Sequence, residues 1–382
     1  MCSNIKFMKV ELFFITMSTS LYTKIKKKLF LLFHGISKYF VIINDLDSVI
    51  FLFGVPIYGN LGDQAIAEGE RELLSRCTNK KILEVIEPET QYFIRKIKKI
   101  ENKTGTKPVL FWQGGGNMGD VWVDQEKLRQ LTALAFPNDK IFFLPQSVSF
   151  KKNSDIFRKS HFVYDKLTNS FFFFRDKISW SFARDKMGIS KNNFLVPDTV
   201  IALTRSINYF HSTREGILKV FRSDIEKENV FDSQKESLSK YLSKIEYIQV
   251  FDTVHHELEF FGKAKRKRII KKTLNLFSLK KLIITDRLHG LIFSVITNTP
   301  VIVFDNNNHK ISNFVHTWLD DFSFVYLVKT EDSTEKIRQV AHNFLYHYDR
   351  NSYIKNNDAL YRNIEEYENV IKENLNNFDK LD

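Results

Sequence analysis

The segment KLIITDRLHG, residues 281–290, runs from an apolar stretch of strand length into polar residues and then into a helical pattern over 287–297. A strand this uniformly apolar is one covered on both faces, as in a parallel sheet. Thr285 or Asp286 at the junction is expected to cap the helix, which puts Arg287 and His289 in its first turn. Side chains there sit beside exposed backbone N–H groups at the positive end of the helix dipole. The Arg287 fork suits a carboxylate or a phosphate, each charge-assisted bond contributing about 1.5–3 kcal/mol. The same dipole disfavours an imidazolium, so His289 is expected to be neutral near pH 7 and usable as a base. The plainer reading of His289 is a loop hydrogen bond.

Outward from this junction the succession repeats. Strand patterns at 217–221, 246–251, 300–304 and 323–328 alternate with helical ones at 233–244, 255–278 and 333–348. Towards the N-terminus, strands at 48–57, 81–86, 108–113, 140–145, 170–175 and 193–196 alternate with helices at 63–76, 89–99, 124–136, 154–166 and 176–187. Alternation of this kind predicts an α/β protein with parallel sheets. The polar, aperiodic link 203–215 divides the two series. The chain therefore reads as an N-terminal extension (1–45), a Rossmann-like domain (46–205), a second Rossmann-like domain (206–350) and a helical tail (351–382), with a cleft between the two domains. In the extension, residues 24–44 have a basic start and an apolar stretch broken by His34, Ser37 and Lys38. A spanning helix wants roughly 18 or more nearly uncharged residues. The segment reads either as a basic amphipathic helix on a membrane surface or as a helix covering a sheet edge.

The chain has 382 residues and a net charge of +12. That excess fits an anionic ligand, an anionic membrane surface or nucleic acid. No basic, aromatic-rich RNA-binding motif is recognisable, so a nucleic-acid partner is not expected. Cys2 and Cys77 can build no disulfide framework, and neither stands at a metal-ligand spacing. A reducing, cytoplasmic setting is the expectation, without a metal or a cofactor.

Four further segments carry candidate chemistry. Gly59, Asn60, Gly62 and Asp63 form a strand–turn–helix junction that either binds an anion on its N–H groups or is a plain turn with Asp63 as its cap. GGGNMGD (114–120) spells a dinucleotide fingerprint, but it follows the third strand, and the next strand ends in LPQS with no acid. Dinucleotide binding fails both checks, which leaves Gly115, Gly116, Asn117 and Asp120 as a nest for a phosphate or a sugar. Arg175 and Arg222 end strands, where a parallel sheet faces its ligand; the alternative is a surface arginine paired with a nearby acid such as Asp176 or Asp185. DNNNHKISN (305–313) leaves a strand, and its His309, Lys310 and Asn313 suit a polar ligand such as a sugar, unless these are only turn formers.

Taken together, YGNLGDQAI (58–66), FWQGGGNMGDVW (111–122), PQS (145–147), FRD (174–176), PDTV (197–200), FRSDIE (221–226), TDRLHG (285–290) and HKISNFVHTW (309–318) resemble the polysaccharide pyruvyltransferase family, in its bacterial exopolysaccharide and capsule branch. The resemblance runs in order from about residue 48 to 345. It implies a GT-B-like pair of domains and phosphoenolpyruvate as co-substrate, with transfer of its pyruvyl group to a lipid- or nucleotide-linked sugar as a ketal. By the same resemblance Arg287, Leu288 and His289 match donor-binding positions, Arg287 and His289 catalytic ones, and Arg175 a second donor-binding arginine. Such work belongs on the cytoplasmic side, with peripheral contact at the inner face of the plasma membrane. The rival enzyme class is a GT-B glycosyltransferase using a nucleotide sugar, since the Arg-Leu-His helix start would hold a diphosphate equally well. A non-catalytic scaffold would show erosion of the arginine and histidine positions, and they are present.

Overall fold

A computed structural model describes residues 45–152, 154–206, 213–222, 228–255, 262–348 and 354–376. The expectations for the N-terminal extension, including the helix at 24–44, lie outside the described residues. The first half alternates β1 (Val49–Val55), α1 (Leu61–Cys77), β2 (Lys81–Ile86), α2 (Thr90–Thr104), β3 (Val109–Trp112), β4 (Gly115–Gly119), α3 (Val123–Ala135), β5 (Lys140–Ser149), α4 (Asp155–Tyr164), β6 (Ser170–Phe174), α5 (Lys177–Lys186) and β7 (Asn193–Leu195). A 3₁₀ turn, Thr199–Ser206, closes it. The second half runs β8 (Ile217–Val220), α6 (Asp232–Leu242), β9 (Ile248–Val250), α7 (Lys263–Ser278), β10 (Leu282–Thr285), α8 (Leu288–Ile296), β11 (Val301–Phe304), α9 (Lys310–Trp318), β12 (Val325–Val328) and α10 (Thr334–Tyr346). A last helix, α11 (Ile354–Asn376), follows.

Each half is a Rossmann-like parallel sheet. The first has strand order β2-β1-β3-β5-β6-β7 with β4 added beside β5, and the second has order β12-β11-β10-β8-β9. The first sheet is held largely by phenylalanine. Phe111 stacks on Phe142 at 4.6 Å and Phe142 on Phe171 at 4.7 Å, while Phe143 stacks on Phe172 at 4.6 Å in the adjacent row. Neighbouring parallel strands in register bring like positions together, and each such ring pair adds about 0.5–1.5 kcal/mol beyond its buried area.

Both sheets change winding direction once, between β1 and β3 in the first and between β8 and β10 in the second. Loops leaving the carboxyl ends of those strands diverge, and the resulting crevice is where open α/β sheets bind ligands. The fold thus selects the segments after β1, β3, β8 and β10.

Three features depart from the sequence reading. GGNMG is a strand rather than a loop nest. It pairs in parallel with the extended end of β5, Met118 opposite Val148 and Gly119 opposite Ser149. At Gly119, φ is +147° and a Cβ would lie 1.9 Å from the Ser149 carbonyl oxygen, so the close approach of the two backbones requires glycine. Helix α7 begins at Lys263, not at residue 255, and Val254 instead makes an antiparallel bridge to Asn60 in the first half. Finally, α11 returns to pack on the first half. Tyr367 meets Phe173 with ring centroids 4.9 Å apart, and buried Glu368 takes the Arg76 Nε–H at 2.8 Å. No helix among the described residues is long and apolar enough to cross a membrane.

Candidate active site

A cavity of about 450 Å³ opens between the two halves, a size typical of small-molecule sites. Its wall includes Tyr58, Gly59, Asn60 and Asp63 after β1, Gly116 and Asn117 after β3, Arg175 after β6, Arg222 after β8, Arg287, Leu288 and His289 after β10, and Lys310 after β11. Four basic side chains therefore converge on one gap.

The start of α8 is built from below. Thr285 does not cap the helix in the expected way; its Oγ1 accepts the Arg287 N–H at 3.1 Å and donates to the Val220 carbonyl at 2.8 Å. Asp286 turns away from the cavity, taking the Arg222 N–H and the Lys235 ammonium, each at 2.8 Å. Arg287 itself is the N-cap, with no side-chain cap. Leu288 and His289 line the cavity, and their N–H groups consequently have no acceptor among the described residues. Unpaired N–H groups at a helix start, next to an arginine, make a favourable setting for an anion. Arg287 is 7% exposed, and Asp252 orients its Nη2 at 2.8 Å.

The other helix start behaves differently. Asn60, not Asp63, caps α1, its Oδ1 accepting the Gly62 N–H at 3.0 Å. The Leu61 N–H goes to the Thr253 carbonyl at 2.8 Å, and the Gly59 carbonyl accepts the His255 N–H at 2.9 Å. The segment 253–255 thus straps the second half onto this turn and consumes donors that an anion would need. Freed from capping, the Asp63 carboxylate reaches the cavity and engages the Tyr58 hydroxyl, whose acidity is suppressed first by burial and then by Asp63.

His289 stands on Gly62. A Cβ at position 62 would lie 2.1 Å from His289 Nδ1, so only glycine lets the imidazole settle against α1. Burial above all, then Arg175 and Lys310, push its pKa down to about 4 against a raising influence from Asp198. The ring is neutral at pH 7, as the helix start suggested, but burial is the main cause. Its Nε2 has no hydrogen-bond partner among the described residues and lies 3.8 Å from Asp198 Oδ2.

Arg175 is 2% exposed and pairs with neither Asp176 nor Asp185. Its Nη1 donates to Asp198 at 2.7 Å and its Nε to Ser147 Oγ at 2.8 Å, leaving Nη2 beside Gly116. Across the gap, Lys310 Nζ donates to the Gly116 carbonyl at 3.1 Å. Asn117 is held from behind by the fully buried Arg129.

Five expected residues stay outside the cavity wall. Gly62 supports His289 from beneath, and buried Gly115 carries the backbone into β4. Asp120 accepts the Lys151 N–H at the far end of β5. His309 has a 72% exposed side chain bonded to Asp305 at 2.8 Å, and the backbone carbonyl of Asn313 accepts the Thr317 hydroxyl. Part of the polar density of the 305–313 loop is spent internally, since Asp305 also takes the Ser312 N–H and hydroxyl, while Asn306 lines the cavity. Lys310 alone of its three candidates reaches the ligand space.

Sequence reasoning missed Asp198, Trp122 and His255. Asp198 sits in the quoted PDTV, yet only its burial beside Arg175 reveals a task. Trp122 ends FWQGGGNMGDVW and lies 44% exposed on the cavity wall, an aromatic face able to stack on a sugar ring. His255 was absorbed into a helix pattern but lines the cavity instead.

A sequence profile of the family described as polysaccharide pyruvyl transferase matches residues 60–308. General stress protein 30 of Bacillus subtilis is 31% identical over 304 residues, covering 78% of this chain and 86% of that protein. Pyruvyl transferase 1 of Schizosaccharomyces pombe is 26% identical over 299 residues, covering 75% and 74%. Among solved structures, an uncharacterized protein of Klebsiella pneumoniae aligns at a TM-score of 0.49 with 17% identity, covering 80% of this chain and 98% of that one.

Proposed function

Because the chain belongs to the polysaccharide pyruvyl transferase family, we propose that it moves the pyruvyl group of phosphoenolpyruvate onto two hydroxyls of a sugar in a cell-surface polysaccharide precursor, closing a pyruvate ketal. The observation that carries this reading is the convergence of Arg175, Arg287 and Lys310 with the unpaired N–H groups of Leu288 and His289 around one small cavity.

Phosphoenolpyruvate carries its carboxylate and its phosphate ester on the same carbon, C2, of a three-carbon frame. A site for it needs separated cations that meet both charges without free rotation. Arg175 is locked at Nε and Nη1, and Arg287 is steadied by Asp252, so each presents a fixed edge. In the reaction one sugar oxygen bonds to C2 while the alkene pair forms a new C3–H bond. The phosphate then leaves C2, and the second hydroxyl closes the ring. Two hydroxyl protons are lost overall; C3 gains one and the departing phosphate the other. His289 lines the cavity, is neutral, and has a buried Nε2 without a hydrogen-bond partner among the described residues; it is the group assigned to accept the first hydroxyl proton. Trp122, Arg222 and His255 also line the cavity and are assigned to the acceptor. The acceptor sugar is proposed to arrive on a lipid or nucleotide carrier at the cytoplasmic face of the membrane.

Mass spectrometry of the surface glycan from cells with and without the gene tests this reading. Loss of one pyruvate ketal per repeat in the deletion strain is expected. An unchanged repeat mass, or loss of a whole sugar, contradicts it.

A further inference from the structure

Asp198 lies between β7 and the 3₁₀ turn that follows it and is 1% exposed. Its Oδ1 accepts the Val200 N–H at 2.9 Å, which fixes the carboxylate plane. Its Oδ2 accepts Arg175 Nη1 at 2.7 Å and is the oxygen 3.8 Å from His289 Nε2. One buried carboxylate therefore addresses both the arginine assigned to the donor and the histidine assigned to the proton.

The charged groups facing His289 are few. Arg175 approaches from the end of β6 and Lys310 from the start of α9, and both make the imidazole a poorer base. Asp198 acts in the opposite sense. From α1 the contact is Gly62, which brings no charge, and the nearby Asp63 is engaged with Tyr58. An anionic donor seated on Arg175 and Lys310 would cancel the two unfavourable fields and leave that of Asp198 in force. In low-dielectric surroundings such a change in near charges alters proton affinity strongly.

We propose that Asp198 is a positioning residue that couples donor binding to proton transfer, holding Arg175 for the donor and enabling His289 to act as base only once the donor is seated. The inference rests on the pyruvyl-transfer reading. In the step it serves, the sugar O–H bond breaks with its proton moving to His289 Nε2, and the C2–O bond forms. The alkene pair captures a solvent proton at C3, and His289 returns its own proton to solvent as phosphate leaves. A base that is idle without its donor also has no means of activating water on an empty site.

Two measurements decide it. In the full-length wild-type protein, the imidazole signals of His289 are followed by NMR as pH is varied, with and without inorganic phosphate as the probe. The midpoint should rise from its low value when phosphate is added; an unmoved midpoint overturns the proposal. Asp198→Asn keeps the shape and one acceptor oxygen, enough for Arg175 but not also for the Val200 N–H, and removes the charge. It should lower kcat by at least about tenfold and move the acid limb of the kcat profile to lower pH. An unshifted limb with only a general loss of activity would mark a purely structural role and also overturns it. If the variant does not fold, the phosphate titration of the wild type remains decisive. Failure of the wild type to release phosphate from phosphoenolpyruvate would instead count against pyruvyl transfer, and the NMR midpoint is read independently of that outcome.

Discussion

Replacing His289 with Asn is expected to lower turnover by roughly 10²–10⁴ while leaving the fold and donor binding nearly intact. The imidazole rests on Gly62 and lies 6.2 Å, centroid to centroid, from the ring of Phe293, and its Nε2 makes no hydrogen bond among the described residues. The substitution thus breaks no polar contact of that nitrogen. The backbone N–H groups of residues 288 and 289 remain, so the apparent KM for phosphoenolpyruvate should change little. Steady-state kinetics on the purified variant checks both numbers, and wild-type turnover would remove His289 from the mechanism. The sign of the pH dependence follows from its depressed pKa. In the free enzyme the ring stays unprotonated down to about pH 4, so the limb of kcat/KM that belongs to it should fall near there and not at the ordinary imidazole value of 6.5.

Arg175→Met is expected to destabilise the protein by roughly 3–5 kcal/mol and to weaken donor binding in whatever fraction folds. The pair it breaks is buried on both sides, Arg175 at 2% and Asp198 at 1% exposure. Methionine fills much of the volume but leaves Asp198 without its cation and Ser147 without its donor. The destabilisation is the cost of that stranded carboxylate, a much larger effect than the loss of a surface ion pair. Urea denaturation of the two proteins measures it. Equal midpoints and slopes would show that the pair is not buried as described. An intact KM for phosphoenolpyruvate would show that Arg175 does not meet the donor.

The sheets were legible because parallel strands covered on both faces must be apolar throughout, and VLFW, IFFL and FFFF announce themselves. β4 was not, since GGNMG has no strand propensity of its own and is extended only because β5 continues beside it to Ser149. The cavity residues that follow β1, β3, β6, β8 and β10 were readable from position alone, as carboxyl ends of strands. What each does there was less so. Asp63 looked like a cap until Asn60 took that role, and Asp120 and His309 looked available until their partners were on view. Asp198 gained its meaning from packing against Arg175, 23 residues away. The docking of α11 is the extreme case: Glu368 meets Arg76 across 292 residues, and no local pattern encodes a contact at that separation.

The proposed function requires a cleft that grips a small phosphorylated acid and hands its three-carbon unit to a sugar. Purified full-length protein incubated with phosphoenolpyruvate and the acceptor glycan, with inorganic phosphate and ketal product quantified together, tests that directly. The predicted result is one phosphate released per ketal formed, and none in the absence of acceptor. Release of a nucleotide from a sugar nucleotide, with phosphoenolpyruvate left untouched, would contradict it.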